Sequence, residues 1–376
     1  MIPPEKLYRL LQSRGIGLFA GVPDSLLANF CAYVDDNGED GSHVITANEG
    51  NAVALAAGYH MATGKFCAVY MQNSGLGNAI NPLTSLADPE VYRLPMLLII
   101  GWRGEPGVKD EPQHVKQGRV TLGQLELLGV PCRVLEAGSD AEAVVDELFA
   151  DMARTNAPVA LVVRKDTFAK YKSLRKAESL SDMTREQALD TLLALTGSDD
   201  LIISTTGKTS REVFELRVRR GEAQRDFLTV GGMGHTSSIA LGVALGQPKR
   251  RVVCLDGDGS LLMHLGAMPV IGSLKPARLI HVLLNNAAHE SVGGQPTAAG
   301  SIDFAAIALG SGYAAHRVAG DPASLRAAWR ELVDHQGPVL LEVRIKAGSR
   351  DDLGRPTSSA EENKRAFMGA ALGTAS

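Results

Sequence analysis

Two groups of polar residues in the second half of the chain follow apolar runs, at the point where each run ends. The run RVVCLDG leads into Asp258, and the run LIHVLLNN ends at Asn286. Because the carboxyl ends of neighbouring parallel strands share one edge of a sheet, these two side chains are expected side by side. Together with the backbone carbonyl of Ala288 they form a set of hard oxygen ligands. Such a set suits Mg²⁺ or Ca²⁺, and Mg²⁺ commonly completes its shell with phosphate oxygens.

Phosphate contacts are predicted at two strand-to-helix junctions. Gly259 and Ser260 open a helix that the helix-period segment LLMHLGAMPVIGSL is expected to continue, so their backbone N–H groups are expected to face a diphosphate. A second contact is predicted in STTGKTS, at Gly207, Lys208 and Thr209. The string GKTS resembles the end of a nucleotide-binding P-loop, but Ile202 stands where that loop requires its first glycine, which excludes it.

The pair GDGS…NN, between two apolar strands, is much more specific than GDG alone, which occurs in many turns. It resembles the cofactor motif of the thiamine-diphosphate enzymes. The resemblance implies thiamine diphosphate and Mg²⁺ as cofactors, and a second domain, usually from a neighbouring subunit, that offers a glutamate to the aminopyrimidine ring. HVITANEGNAVALAAGYHMATG matches that expectation with Glu49. A glutamate in a first helical turn is ordinarily a dipole partner, but the motif favours a catalytic role.

The segment GGMGHTSSIALGVALG resembles the part of these enzymes that bends the cofactor. The resemblance implies that Met233 separates the two rings and that the carbonyl of Gly231 accepts a hydrogen bond from the exocyclic amine. It also implies that Glu49, kept protonated by apolar surroundings, shares its proton with a ring nitrogen. The alternative for Met233 is a flexible core residue, which the flanking glycines make less favourable.

Short apolar runs alternate with helix-period segments along nearly the whole chain, which predicts βαβ units and parallel sheets. We therefore expect an α/β protein of two doubly wound domains. The family resemblance implies the thiamine-diphosphate-binding fold, with no central third domain. The expected organisation is a pyrimidine-binding domain at 1–169, a linker at 170–184, and a diphosphate-binding domain at 185–376 whose tail packs over a sheet edge. The predicted strands are 17–21, 43–47, 65–71, 94–101, 131–137, 157–165, 200–207, 226–232, 250–257, 278–286, 314–320 and 337–345. The similar closing strands APVALVVRK and GPVLLEVRI suggest a duplicated architecture.

Several strings resemble the phosphonopyruvate decarboxylases in particular: GVPDSLL, QNSGLGNAINPLTSL, GWRGEPGVKDEPQH, NNAAHESVGGQPT and GSRDDLGRP. The resemblance implies a carboxy-lyase that converts 3-phosphonopyruvate to phosphonoacetaldehyde and CO₂, in phosphonate biosynthesis. Ala287 departs mildly from the family, where glycine is more usual. The alternatives are a sulfopyruvate decarboxylase, a general 2-oxo acid decarboxylase or carboligase, and a non-enzymatic cofactor-binding module. The module is disfavoured because Glu49, Asp258 and Asn286 are all present, and a carboligase of the acetolactate-synthase type normally has a central domain.

Phosphonopyruvate carries about three negative charges, so its site needs cationic or N–H donors. Asp24 and Ser25 follow the first strand, where related decarboxylases place polar groups near the substrate, and His114 is a further catalytic candidate. The candidate substrate contacts are Ser25, Asn73, Ser74, Arg103, His114 and Arg350, with Lys109, Lys116, Arg119 and Arg355 as further basic residues.

The bulk composition limits the partners. Of 376 residues, 45% are hydrophobic and 21% charged, and the net charge of −4 gives no reason to expect nucleic acid or an acidic membrane. Neither a signal peptide nor a membrane span is predicted, so a cytoplasmic protein is expected. The family resemblance implies a homo-oligomer, at least a dimer, with active sites shared between subunits. Four widely spaced cysteines are expected to be structural.

Overall fold

The chain forms two compact units. A computed structural model describes residues 1–175 and 179–374, apart from the side chain of residue 291. The first unit comprises Met1–Lys176 and Val292–Gln295, and the second comprises Ala177–Ser291 and Pro296–Ser376. The division falls inside the expected linker 170–184, of which residues 176–178 lie outside the described residues.

The first unit contains a parallel sheet of six strands with helices between them. The strands are β1 (Ile16–Gly21), β2 (His43–Ile45), β3 (Phe66–Gln72), β4 (Leu97–Gly101), β5 (Cys132–Leu135) and β6 (Val159–Val163), in the order β2-β1-β3-β4-β6-β5. The helices are α1 (Pro4–Ser13), α2 (Ala28–Asn37), α3 (Glu49–Thr63), α4 (Leu76–Pro82), α5 (Pro112–Leu127) and α6 (Ala141–Thr155). A 3₁₀ turn at Asn73–Gly75 precedes α4.

The second unit repeats this plan. Its strands are β7 (Leu201–Ser204), β8 (Phe227–Leu228), β9 (Val252–Gly257), β10 (Leu279–Asn285), β11 (Ala315–Ala319) and β12 (Val339–Arg344), in the order β11-β12-β10-β9-β7-β8. The helices are α7 (Arg185–Leu195), α8 (Lys208–Arg219), α9 (Thr236–Gly246), α10 (Asp258–Met263), α11 (Ala267–Leu274), α12 (Phe304–Gly310), α13 (Pro322–Leu332) and α14 (Ala360–Leu372). Counted from the start of each unit, the strand order is the same, which confirms the duplicated architecture and the predicted fold class.

The central strands are buried on both faces, as parallel sheets require. On β9, for example, Val253 and Leu255 belong to one apolar core, whereas Val252 and Cys254 belong to the core on the opposite face. With both faces covered, the carboxyl edge of each sheet is where polar groups collect. Each sheet changes winding direction between its first and third strands, β1 and β3 or β7 and β9, and this is where doubly wound sheets bind ligands.

Three local predictions need correction. The segment LLMHLGAMPVIGSL was expected to continue as helix after Ser260, but the structure breaks it into α10 and α11 at His264–Gly266. The predicted strands 43–47 and 226–232 are reduced to β2 and β8. Both lie at the edge of their sheet, where only one neighbour offers hydrogen bonds, so the extended pairing ends early.

The C-terminal helix packs over the edge of the second sheet, as expected from the sequence. The side chain of Asn363 on α14 accepts a hydrogen bond from the backbone N–H of Leu228 (3.0 Å) and donates one to the carbonyl of Asp226 (2.9 Å). Phe367, one helical turn further, packs against Phe227. Asn363 therefore satisfies backbone groups of β8 that face no further strand.

The four cysteines are free, and Cys31, Cys67 and Cys254 are buried, which fits structural roles. Among the described residues, the helices are all too short or too polar to cross a membrane.

Asn363 provides a test of how the tail is fastened. Asn363→Ala leaves a buried N–H and a buried carbonyl without partners, so the free energy of unfolding should fall by about 2 kcal/mol. Urea unfolding measures this loss. Lys364→Ala, at an exposed position of the same helix, is the control and should change stability by less than about 0.5 kcal/mol. Equal effects of the two substitutions would contradict the packing described.

Candidate active site

The structure brings Asp258 and Asn286 together at the carboxyl ends of β9 and β10. Leu284 on β10 is in register with Gly257 on β9, so the two loops leave the sheet side by side. Asp258 is 3% exposed, and its carboxylate accepts a hydrogen bond from the hydroxyl of Thr297 (2.5 Å). Burial raises the pKa of Asp258 to about 6, although Thr297 and nearby backbone N–H groups, including that of Asn286, oppose the rise.

Ser260 joins three of the predicted cofactor segments. Its hydroxyl oxygen lies 3.2 Å from the hydroxyl of Thr205, which precedes α8, and accepts a hydrogen bond from the backbone N–H of Gly234 (3.2 Å). The loops after β7, β8 and β9 therefore converge on one buried hydroxyl. Gly207 adopts a positive φ of 89° before α8 begins at Lys208, and Thr209 is buried in the first turn of that helix.

Met233 lies at the same place. A Cβ added to Gly259 would be 3.4 Å from the Cε of Met233 and 3.4 Å from the imidazole of His289, so both side chains border the open face of Gly259. Burial lowers the pKa of His289 to about 4. Gly231, two residues before Met233, lies in the loop after β8.

Glu290 controls the basic groups of this region. It accepts hydrogen bonds from the amide of Asn286 (2.9 Å), from Lys208 (2.8 Å) and from Arg185 (3.0 Å). Burial alone would raise the pKa of Glu290, but Arg185 and Lys208 lower it to about 2. Because the Asn286 amide nitrogen is held by Glu290, its amide oxygen is the atom left to face a cation. That oxygen already accepts the N–H of Ala288 (3.1 Å) and has a second lone pair.

In the first unit, Glu49 begins α3 and is 5% exposed. Burial raises its pKa, which is opposed by a hydrogen bond that Asn78 donates to its carboxylate (2.8 Å). A carboxyl group in this environment holds its proton more readily than an exposed glutamate does. Its local structure follows from the sequence, since Asn48 caps α3 by accepting the N–H of Gly50 (2.7 Å).

Gly75 is the residue against which the Glu49 carboxyl lies. A Cβ at Gly75 would be 2.6 Å from Cγ and 2.7 Å from Cδ of Glu49, and it would overlap Oε1 as well. The φ of Gly75 is −69°, so the conformation suits any residue and the restriction is purely one of space. The 3₁₀ turn Asn73–Gly75 therefore sets the position of the carboxyl group.

Three predicted substrate or catalytic residues, Asp24, Ser25 and Arg103, meet at the carboxyl edge of the first sheet. Asp24 is fully buried and accepts the N–H groups of Leu26 (2.8 Å) and Leu27 (3.2 Å) through one carboxylate oxygen. Its other oxygen has no hydrogen-bond partner among the described residues. Burial raises the pKa of Asp24 to about 6 against the opposing effect of those N–H groups and of the nearby Arg103. Arg103 also donates a hydrogen bond to the hydroxyl of Ser25 (2.8 Å).

The charge of Arg103 is already paired. Asp110 binds its guanidinium through both oxygens, at 2.8 and 2.5 Å, and also accepts the N–H of Gly104 (2.8 Å). Despite its own burial, Asp110 has its pKa lowered well below the usual range by this pairing. The pKa of His114 is lowered by burial and by Arg103. Arg103 therefore enters the site as half of an ion pair rather than as an isolated cation.

Asn73, Ser74 and Arg350 are also engaged. The amide of Asn73 donates to the carbonyl of Arg103 (2.8 Å) and to Thr121 (2.9 Å), and its oxygen accepts the N–H of Arg103 (3.2 Å). The hydroxyl of Ser74 accepts a hydrogen bond from Gln72 (2.6 Å). Arg350, in the second unit, forms ion pairs with Glu186 (3.2 Å), Asp352 (3.1 Å) and Glu215.

The sequence predicted no positioning role for several residues that hold this arrangement. They are Gly75, Asn78, Asp110, Glu290 and Thr297. Glu290 had a local signal, since it follows Asn286 by one helical turn within a polar string. Thr297 had none, because its partner Asp258 lies on a different element.

Comparison with known proteins identifies the family. The thiamine pyrophosphate enzyme N-terminal TPP binding domain matches residues 4–125, and the C-terminal TPP binding domain matches residues 206–343. The chain belongs to the thiamine-diphosphate-dependent enzymes. The N-terminal match lies within the first unit, and the C-terminal match lies in the second unit except for residues 292–295. Together the matches include Glu49, Asp258 and Asn286.

Individual relatives show which members of this family the chain is similar to. The chain is 36% identical over 383 residues to a phosphonopyruvate decarboxylase of Streptomyces viridochromogenes, a match covering 98% of this chain and 94% of the relative. It is 27% identical to a sulfopyruvate decarboxylase of Methanosarcina acetivorans, covering 96% of both. In Methanothermobacter thermautotrophicus, sulfopyruvate decarboxylase subunits beta and alpha match 44% and 42% of this chain, at 38% and 35% identity.

The contact between Gly75 and Glu49 generates a prediction. Gly75→Ala should displace the Glu49 carboxyl and lower the turnover of a 2-oxo acid by at least about 100-fold, because a catalytic group misplaced by 1 Å loses about that much. Steady-state kinetics with saturating thiamine diphosphate measures the effect. Gly77→Ala, two residues further along, in α4, is the matched control. A Cβ at Gly77 would have no neighbouring atom within 4 Å, so this variant should retain full turnover. Full activity in Gly75→Ala would contradict the positioning of Glu49 described here.

Proposed function

We propose that this enzyme decarboxylates 3-phosphonopyruvate to phosphonoacetaldehyde and CO₂, using thiamine diphosphate and Mg²⁺. The proposal is carried by the match of nearly the whole chain to a phosphonopyruvate decarboxylase, at a higher identity than its match to the full-length sulfopyruvate decarboxylase. The two buried carboxyl groups, Glu49 and Asp258, provide the chemistry that this reaction needs.

The donor set at the edge of the second sheet fits Mg²⁺. Asp258 offers a buried carboxylate with a raised pKa, which a divalent cation would stabilise in its ionised form. Asn286 offers an amide oxygen whose orientation is fixed by Glu290, and Ala288 offers a backbone carbonyl nearby. These three oxygen ligands would leave the rest of the metal's coordination shell to phosphate and water oxygens.

The convergent loops of the second unit would hold the diphosphate and the ring junction. Gly259 and Ser260 follow the metal carboxylate, while Gly207, Lys208 and Thr209 open α8 beside them. Lys208 is held by Glu290 at 2.8 Å, so it would act through a partly neutralised charge. Met233 borders the open face of Gly259 and would support the bend of the cofactor, with the Gly231 carbonyl as acceptor for its amine.

When bound, the cofactor supplies a nucleophilic carbon and an acceptor for the electrons released with CO₂. The chain contributes the proton chemistry. Burial raises the pKa of Glu49, which favours a protonated carboxyl that can share its proton with a ring nitrogen, and Asn78 fixes its orientation. Asp24 has a raised pKa near 6 and one oxygen without a partner, so it can exchange a proton near neutral pH.

Ser25, His114 and Arg103 are proposed as contacts to the anionic substrate, with Asn73 and Ser74 shaping the same edge. Arg103 is shared with Asp110, so it offers a fixed N–H donor and orients Ser25 rather than adding a full positive charge. Arg350 also stays a candidate, although three carboxylates surround it.

The active enzyme is proposed to be a homo-oligomer, a dimer at least, in which Glu49 of one subunit and Asp258 of another serve the same cofactor. This follows from the family resemblance. It is supported by the separately encoded alpha and beta subunits of a sulfopyruvate decarboxylase, each matching less than half of this chain.

Substrate choice tests the proposed reaction. Phosphonopyruvate should exceed pyruvate in kcat/KM by about 1,000-fold or more, because a site built for polar partners rejects analogues that lack them. The measurement is kcat/KM for phosphonopyruvate, sulfopyruvate and pyruvate, with identification of the aldehyde released. A higher value for sulfopyruvate would replace the proposed substrate, and equal values for pyruvate would make this a general 2-oxo acid decarboxylase.

Substitution of Ser25 and His114 tests the proposed substrate contacts. His114→Gln and Ser25→Ala should reduce the preference for phosphonopyruvate over pyruvate by about tenfold each while sparing cofactor binding, which corresponds to one lost polar contact. Arg103 is unsuitable for this test, since its removal would leave Asp110 unpaired. The control is His335→Gln, at an exposed position of the second unit. An unchanged preference in both variants would contradict the assigned contacts.

Subunit mixing tests the shared site. Glu49→Gln and Asp258→Ala homo-oligomers should each be inactive, but unfolding and refolding them together should restore activity. In a mixed dimer one of the two sites carries both wild-type residues, so recovery should approach a quarter of wild-type activity at equal mixing. A fully active monomer by light scattering, or no recovery in verified mixed oligomers, would contradict shared sites.

A further inference from the structure

A buried series of three polar side chains, two on strands of the second sheet and one just before β11, lies close to the loop that carries Asp258. Asp256 on β9 and His281 on β10 are fully buried, and Tyr313 is 4% exposed. The Tyr313 hydroxyl lies 3.0 Å from Nδ1 of His281, and Nε2 of His281 lies 3.5 Å from Oδ2 of Asp256. Three polar groups inside an apolar core are costly unless they serve one another or a ligand.

The hydrogen-bonding roles in this chain follow from its geometry. Burial raises the pKa of Tyr313, so its hydroxyl keeps its proton and can donate it to Nδ1 of His281. The remaining ring N–H of His281 then points at the Asp256 carboxylate. The opposite tautomer would set a nitrogen lone pair against the carboxylate oxygens, which is unfavourable. Tyr313 and His281 therefore orient Asp256.

Asp256 connects the Tyr313–His281–Asp256 hydrogen-bonding series to the loop that carries Asp258. Its other oxygen, Oδ1, accepts the backbone N–H of Gly257 at 2.9 Å, the residue immediately before Asp258. The contact between Asp256 and His281 also joins β9 and β10, the two strands that lead to the proposed metal ligands. Asp256 lies two residues before Asp258 on β9, and His281 lies on β10, which ends at Asn285 before Asn286.

We propose that Tyr313, His281 and Asp256 are positioning residues that fix the Asp258 loop relative to Asn286 for Mg²⁺ binding. This inference rests on the proposed function, in which Asp258 and Asn286 hold the metal. None of the three side chains is required to touch the cofactor. Outer groups that orient metal ligands commonly alter metal affinity by 10–100-fold when they are removed.

Cys254 offers a different reading of the same cluster. Ligand atoms of Cys254, Asp256 and His281 lie within 4.8 Å of one another, and such a set could hold a transition metal such as Zn²⁺. The contact of His281 with Tyr313 and the hydrogen bond from Gly257 to Asp256 favour the positioning role. Elemental analysis of the purified protein separates the two readings, and one equivalent of Zn²⁺ per chain, lost in Asp256→Asn, would overturn the proposal.

The first unit supplies a matched control. There Tyr70, also buried, lies 2.8 Å from Nε2 of His43, and Nδ1 of His43 lies 3.2 Å from Asp35. This is a second tyrosine–histidine–aspartate chain, but Asp35 lies on α2 and adjoins none of the proposed ligands. Tyr70→Phe and Tyr313→Phe each remove one hydroxyl from the same kind of chain.

The experiment measures binding rather than turnover. The Mg²⁺ affinity of each full-length variant is determined by calorimetry at saturating thiamine diphosphate, well below its melting temperature. Tyr313→Phe should weaken Mg²⁺ binding by about tenfold, whereas Tyr70→Phe should leave it unchanged at a similar loss of thermal stability. Asp256→Asn, which keeps an acceptor for Gly257, should weaken binding less than Asp256→Ala does. Wild-type affinity in Tyr313→Phe and Asp256→Ala would overturn the proposal.

Asp258→Ala distinguishes failure of this inference from failure of the proposed function. If Asp258→Ala still binds Mg²⁺ like the wild type, the metal assignment itself is wrong. If Asp258→Ala loses Mg²⁺ while Tyr313→Phe, Asp256→Asn and Asp256→Ala bind normally, only the positioning role is wrong.

Discussion

The structure depends on one electrostatic constraint: each unit buries a carboxyl group at the carboxyl edge of a parallel sheet. Asp258 and Glu49 are both nearly inaccessible to water, and burial raises the pKa of each. Hydrogen bonds from Thr297 and Asn78 orient these groups but carry no charge that would neutralise them. Burying a carboxyl group in this way lowers the stability of the ligand-free protein. The burial becomes favourable when a ligand supplies a cation or a shared proton.

The basic residues near Asp258 and Asp24 form ion pairs with other acidic residues. Glu290 binds Arg185 and Lys208 in the second unit, and Asp110 binds Arg103 in the first. Because these cations are already paired, they form no ion pair with Asp258 or Asp24 in the described part of the chain. Both carboxylates therefore stay available to a ligand. The same pairing explains why residues predicted as free anion contacts prove to be parts of ion pairs. A polar site at the end of apolar strands therefore requires a surrounding set of already satisfied charges.

Much of the fold and the core of the site could be predicted from the sequence. Strand period and apolar runs located all twelve strands found among the described residues, because burial on both faces leaves a strong local signal. The pairing of Asp258 with Asn286 followed from the geometry of parallel strands. What could not be predicted depends on contacts between distant segments: Thr297 with Asp258, Asn363 with β8, and Arg350 with Glu186 and Glu215. The break at His264–Gly266 was missed because the apolar period continues across it.

In the proposed function, burial of the Asp258 charge is a cost that the cofactor and its metal would relieve. The pKa of Asp258 is raised from 3.8 to about 6 in the folded state, so its ionised form destabilises the protein above pH 6, and this cost disappears as the pH falls toward 4. Asp258→Asn keeps the shape and removes the charge. Without ligands at pH 8 this variant should be more stable than the wild type by on the order of 2 kcal/mol, an advantage that shrinks between pH 6 and pH 4.

The decisive measurement is therefore the free energy of unfolding of both proteins across this pH range, with and without Mg²⁺ and thiamine diphosphate. With both ligands saturating, the order should reverse, because only the wild type gains the stabilisation of a bound cation. A ligand-free Asp258→Asn variant that is less stable than the wild type at pH 8, or an equal gain of both proteins from Mg²⁺ and cofactor, would contradict the account.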